Sequence, residues 1–157
     1  MKVFVECYND SALVLSLGIS IRQLGHEFNK VNVLRRLSQF EGYALGIIDA
    51  DTGKLYSGYP AELDKYAERD KRYRLTRMVH RTDERKSVVV IDPTLEEWLC
   101  ARASDCRIRL EKYGLPQAAA AMHKTPRCDR KPGFKDFLSD LAEADDAMSI
   151  LKQWLNG

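Results

Sequence analysis

Apolar positions along this chain form short contiguous runs that alternate with stripes at helical spacing. Val3, Phe4 and Val5 stand together between Lys2 and Glu6, the pattern of a strand buried on both faces. Asn9, Asp10 and Ser11 supply an N-cap before the apolar run 12–17, which Gly18 ends. A weak segment over residues 19–24 leads into Gly25 and His26, which read as a loop. Val31, Leu34, Leu37 and Phe40 recur at helical spacing, with Lys30, Arg35, Arg36 and Gln39 on the opposite face. After the stop at Glu41-Gly42, residues 43–48 read as a second buried strand, closed by the turn signal Asp49-Ala50-Asp51-Thr52-Gly53. Residues 55–69 are irregular to helical, 73–79 alternate like a half-exposed strand, and 82–86 make a charged turn. Residues 87–91 are the strongest β-branched run. Asp92 at the cap and Pro93 at the first position open a helix through Ala103. Beyond it the helical segments are 105–113, 116–123, 133–141 and 144–155.

Strand, helix, weak strand, helix, strand argues for an α/β fold: a mainly parallel central sheet flanked by helices, with a helical C-terminal appendage. At 157 residues the chain has room for one domain, with residues 1–103 as the α/β part and 104–157 as its helical extension. A composition of 45% hydrophobic and 31% charged residues excludes wholesale disorder and a coiled-coil rod. Apolar runs such as 87–91 fall far short of the ~20 residues of a membrane span. The N-terminus carries one Lys and an apolar run interrupted by Glu6, so it reads as neither signal nor transit peptide. The four cysteines have irregular spacing and no CxxC, which fits reduced thiols in a cytoplasmic protein. A zinc site drawn from Cys100, Cys106, His123 and Cys128 matches no ligand spacing.

The formal net charge of +2 predicts no partner, but its distribution does. Residues 65–86 carry nine Lys/Arg against four Asp/Glu, whereas residues 134–157 carry two Lys against five acids. The basic stretch, with Tyr66 and Tyr73 interleaved, suits a surface that tracks nucleic-acid phosphates, with Arg72, Arg74 and Arg77 as contacts. Lys30, at the start of the Val31 helix, is a further anion contact. A solvated hairpin explains the same charges. His26 is a weaker candidate. The acidic C-terminal helix, with Met148, Leu151 and Leu155 at helical spacing, packs internally, pairs with a second copy or meets a partner protein.

Each apolar run ends in carboxylates: Glu6 after the first, Asp49 and Asp51 after the second, Asp92 after the third. Ligands of open α/β sheets bind beyond the carboxyl ends of the strands. If the extended backbone continues, strand period puts Asp49 and Asp51 on one side. Converging carboxylates repel unless a hard cation neutralises them, and Mg²⁺ takes one or two carboxylates while keeping waters for a phosphate. Caps and turns account for Asp10, Asp92 and Asp51-Thr52-Gly53 individually. They do not account for an acid closing the first strand.

"VFVECYND", followed after about forty residues by "LGIIDADTG", resembles a Toprim domain. The later "VVIDPTLEEWL" is similar to a Pro-x-x-Glu-x-Trp-Leu stretch of OLD-nuclease and RloB-like Toprim proteins. The resemblance spans roughly residues 1–103. It implies that Glu6 serves in acid/base work or metal binding, that Asp49 and Asp51 coordinate Mg²⁺ (or Mn²⁺), and that Glu96 is the glutamate of the third stretch, with Glu97 its neighbour. One position departs: many Toprim proteins have Gly after the first glutamate, where this chain has Cys7. The length leaves no room for the further domains of topoisomerases or primases, so a Mg²⁺-dependent nuclease is the activity implied, with Glu6, Asp49, Asp51 and Glu96 as catalytic set. The alternative is a catalytically silent Toprim-like module that binds nucleic acid or protein. A phosphatase with Asp49 as nucleophile wants Thr or Val where Gly53 stands, and an EF-hand loop starting at Asp49 meets Pro60 instead of Glu at its twelfth position.

Overall fold

Residues that alternate between two apolar environments, as Val3, Phe4 and Val5 do, need cover on both sides of the sheet, and the chain supplies it unequally. The computed structural model describes residues 1–51, 60–125 and 127–157. Strands β1 (Lys2–Val5), β2 (Leu24–His26), β3 (Ala44–Asp49), β4 (Tyr66–Arg72), β5 (Leu75–His80) and β6 (Lys86–Ile91) form one sheet in the order β2-β1-β3-β6-β5-β4. The β1–β2, β1–β3 and β3–β6 pairs are parallel. The β4–β5 hairpin joins antiparallel at the β6 side. The molecule is thus an α/β protein with a six-stranded, mostly parallel sheet flanked by helices.

Helix α1 (Tyr8–Ser16) connects β1 to β2 and packs Leu13 and Val14 on the face that receives Val3, Val5, Leu45 and Ile47. Helix α2 (Lys30–Gln39) connects β2 to β3 and packs Val33, Leu34 and Leu37 on the opposite face, against Phe4, Ile48 and Val88. Gly46 of β3 permits that approach, since a Cβ there would meet Val33 Cγ1 at 2.9 Å. The first crossover runs from β1 out to the edge strand β2 and the second runs back past β1 to β3, so their helices lie on opposite faces. Helices α3 (Leu95–Asp105), α5 (Pro132–Ala144) and α6 (Asp146–Asn156) complete the α1 face with Trp98, Phe134, Phe137, Leu141, Met148, Leu151 and Leu155. The short α4 (Ala119–Lys124) leans on α3. The C-terminal helices are therefore the cover of one sheet face, and the Met148–Leu151–Leu155 stripe packs internally. Among the described residues no helix is long and apolar enough to cross a membrane.

Several expected boundaries move, for local reasons. Helix α1 begins before Asn9, because the Cys7 thiol accepts from the Asp10 N–H (3.4 Å) while the Asp10 carboxylate accepts from the Cys7 N–H (2.8 Å), a capping box built on cysteine. Gly25 and His26 are strand, not loop: Val3–Val5 pair with Leu24–His26. Val31 lies outside the α2 stripe and is exposed. Asp92 and Pro93, joined by a cis peptide bond, precede the helix they were expected to open. Thr94 caps α3 instead, accepting from the Glu97 N–H and donating to its carboxylate. Of the irregular stretch 55–69, the described part is a short 3-10 turn, Ala61–Lys65, and the start of β4. Its earlier part, with Thr52 and Gly53, lies outside the described residues. Residues 105–113 are helical only over the 3-10 turn Leu110–Tyr113.

Candidate active site

The strand order reverses between β1 and β3, and the crevice beyond their carboxyl ends is the position where open α/β sheets hold ligands. Glu6 follows β1 and Asp49 ends β3, so parallel pairing brings them side by side. The Glu6 Oε1 accepts from the Asp49 backbone N–H at 2.8 Å. The backbone N–H and the ammonium of Lys30, in the first turn of α2, also favour the charged form of Glu6. Asp49 turns its own carboxylate toward α3, where Oδ1 accepts from the Leu95 N–H at 2.9 Å. Both acids thus sit at helix starts, where free N–H groups favour negative charge.

Two further carboxylates come from helix faces. Asp10 is spaced three, four and seven residues before Leu13, Val14 and Leu17, on the buried stripe of α1, and is 4% exposed. Glu96, three and seven residues before Leu99 and Ala103 on α3, is likewise 4% exposed. It accepts from Asn9 Nδ2 at 2.9 Å and lies 3.5 Å from His123 Nδ1 on α4. The acids press on one another. Burial, then the like charges of Asp10, Glu6, Glu96 and Asp51, push the Asp49 carboxyl up to about 9. Burial pushes Asp10 up to about 7 against the bonds it accepts from Cys7. Burial also raises Glu6, opposed by the Asp49 N–H and the Lys30 charge. It raises the Cys7 thiol too, which stays a neutral cap.

Asp51 departs from the strand-period expectation. The ladder ends at Asp49, the Ala50 N–H bonds to the Ile91 carbonyl, and Asp51 takes a left-handed backbone (φ 54°) with its N–H on the Pro93 carbonyl. Its carboxylate meets Lys30 Nζ at 2.6 Å, and the same ammonium donates to the Asp49 carbonyl at 3.0 Å. Lys30, read from the sequence as an anion contact, is therefore an internal counter-charge of the acidic group. Among the described residues, no three of His, Cys, Asp and Glu are gathered so as to hold a metal ion as they stand.

The basic hairpin lies toward the other side of the sheet. Its Tyr73-Arg74 turn is at the same carboxyl edge, and the Arg74 carbonyl accepts from the Asp92 N–H. Arg72 is tied to Asp70 through both guanidinium and carboxylate. Arg77 sits within β5 opposite Val89, with its Nε buried and unbonded. Tyr66 is buried. Tyr8 received no role from the sequence, Asn9 only that of a cap and His123 only a place in the unmatched zinc set; Arg127 stands with them. These residues join Cys7 and Glu96 around a cleft of about 200 Å³ beside the carboxylates.

The fold and the site together define the class only as a mostly parallel α/β protein with buried acids at the switch point of its sheet. Compared with family models, with curated proteins and with solved structures, the chain finds no match.

Proposed function

We propose that this protein is a Toprim-like, Mg²⁺-dependent nuclease that hydrolyses phosphodiester bonds of nucleic acid, with Mn²⁺ able to replace Mg²⁺. The observation that carries the reading is the convergence of Glu6, Asp10, Asp49 and Glu96 at the switch point, with Asp49 driven far above the ordinary carboxylate range by burial first and then by its acidic neighbours. A hard divalent cation relieves that repulsion. The donors are all carboxylate oxygens, and Mg²⁺ needs only one or two of them beside water and phosphate. Glu6 and Asp49 are the pair that would hold it, with Asp51 released from Lys30 as a third donor. Such an ion supplies Lewis-acid polarisation of a phosphate oxygen.

The chain's own groups supply the rest. Glu6, with a carboxyl raised by burial and oriented by the Asp49 N–H, is suited to accept a proton from water. Lys30 places a positive charge where a phosphate would meet the acids. Asn9 fixes the Glu96 carboxylate.

The Lys30–Asp51 pair favours a second reading, a catalytically silent module, because an ammonium already answers part of the negative charge. Incubation of labelled DNA and RNA with Mg²⁺ or Mn²⁺ separates the two. The nuclease reading expects cleavage that falls at least about a hundredfold in Asp49→Ala and Glu6→Gln, the size of a lost transition-state contact. Cleavage surviving both substitutions removes these residues from the mechanism. Salt-sensitive binding without cleavage by the wild type selects the silent module.

A further inference from the structure

Parallel pairing of β1 with β2 places the residues after each strand beside one another, so the ring-bearing residues following them meet next to Glu6. Tyr8 and His26 have ring centroids 4.3 Å apart, and His26 and Phe28 also 4.3 Å. The Arg127 guanidinium caps the row, 3.8 Å from the Tyr8 ring centre. Phe28 is 73% exposed and Tyr8 41%. Phe28 also adopts a left-handed backbone (φ 69°), rare for a bulky residue. A ring held in water on such a backbone contributes little to the core, and sparsely populated conformations concentrate at ligand sites.

Tyr8 and His26 line a cavity of about 600 Å³ with apolar walls, including Leu15, Leu24 and Leu138, and with Lys135 beside it. Tyr8, Arg127 and Asp129 line both this cavity and the cleft that reaches Glu96. The two recesses are therefore neighbours, one walled by rings and aliphatic groups, the other by carboxylates. Between α4 and α5, Arg127, Arg130 and Lys131 stand against Asp129 alone, a charge complementary to a polyanion.

We infer that this row is a stacking platform for the bases of single-stranded nucleic acid, setting the strand so that its backbone passes the carboxylates. The inference rests on the nucleic-acid reading above and adds strandedness to it. A paired base keeps its faces against its own neighbours, whereas an unpaired one offers a free π-face to the open end of the row at Phe28.

Fluorescence anisotropy with labelled oligonucleotides, in chelator and low salt, tests it without relying on catalysis. A single strand is expected to bind at least about tenfold tighter than the blunt duplex of the same sequence. Phe28→Ala and Tyr8→Leu are each expected to weaken the single strand roughly tenfold. Tyr43→Ala, which removes an exposed ring at the start of β3, is expected to stay within about twofold. An abasic strand, which keeps every phosphate, is expected to bind wild type as weakly as the normal strand binds the ring variants. That arm needs no substitution to fold. Duplex binding equal to single-strand binding, or an abasic strand bound as well as the normal one, overturns the inference. Ring-dependent binding without metal-dependent cleavage supports it and removes only the nuclease reading. Cleavage of duplex and single strand alike, indifferent to Phe28→Ala, overturns the platform and leaves the nuclease reading in place.

Discussion

At the residue scale, Asp49 is the most constrained group in the molecule. Its carboxyl is raised to about 9 mainly by burial and then by four acidic neighbours, so the folded state holds a proton that the unfolded chain releases near pH 4. Between those values the native state binds more protons than the unfolded one, and stability falls as pH rises. Metal-free protein should therefore melt lower at pH 8 than at pH 5. Asp49→Asn keeps the oxygen that accepts from Leu95 and removes the ionisation. It should raise the melting temperature at pH 8 by at least about 3 °C, the equivalent of about 1 kcal/mol for a chain of this size, with little gain at pH 4. A thermal melt across pH reads both. A melting temperature in Asp49→Asn equal to wild type at pH 8 would show that neither burial nor its neighbours disfavour this carboxylate. Glu6 and Asp49 were readable from sequence because each closes an apolar run. Asp10 is not the cap residue but the first-turn partner of Cys7, and its helical register with Leu13, Val14 and Leu17 buries it among the acids, a signal hidden by treating Asn9-Asp10-Ser11 as a cap alone.

At the element scale, the carboxylates depend on helices whose starts are set by short polar exchanges. Cys7 with Asp10, Asn29 with Asn32 and Thr94 with Glu97 fix α1, α2 and α3, and these three starts surround the acids. The Thr94-x-x-Glu97 box is visible in the sequence, yet Asp92-Pro93 imitates a cap so well that it displaces the expected start by two residues. Farther from the site, Asp145 caps α6 through the Ala147 N–H and receives two bonds from Arg102 of α3 at 2.8 and 2.7 Å. Its side chain is 1% exposed and that of Arg102 14%. Asp145→Ala removes the cap and leaves a guanidinium short of its partner inside the protein, which should destabilise the fold by about 3 kcal/mol in urea unfolding. Asp145→Asn, which keeps the cap, should lose less. Equal losses in the two variants would place the whole effect on the Arg102 charge pair and none on the cap.

At the scale of the whole molecule, periodicity conveyed the α/β class, the parallel strands and the helices, because those depend on local apolar spacing. It could not convey which face each helix covers. That follows from the two crossovers running in opposite directions across the sheet, and it makes the C-terminal helices part of one core. The three-residue β2 showed only as a weak segment over 19–24, ending where the strand begins, because Leu24-Gly25-His26 has no strand pattern of its own and pairs because β1 offers an edge. Nor could strand period alone foresee the left-handed turn at Asp51 that hands its carboxylate to Lys30. The fold as a whole assembles acids from β1, α1, β3 and α3 at one crevice, and the account stands on a divalent cation answering their charge. The most direct test is titration of Mn²⁺ at pH 7.5, followed by electron paramagnetic resonance of the free ion. The account predicts a single bound ion per wild-type chain, displaced by Mg²⁺, with affinity at least about tenfold lower in Glu6→Gln and Asp49→Asn. No saturable binding by wild type, or binding unchanged in both variants, would contradict it.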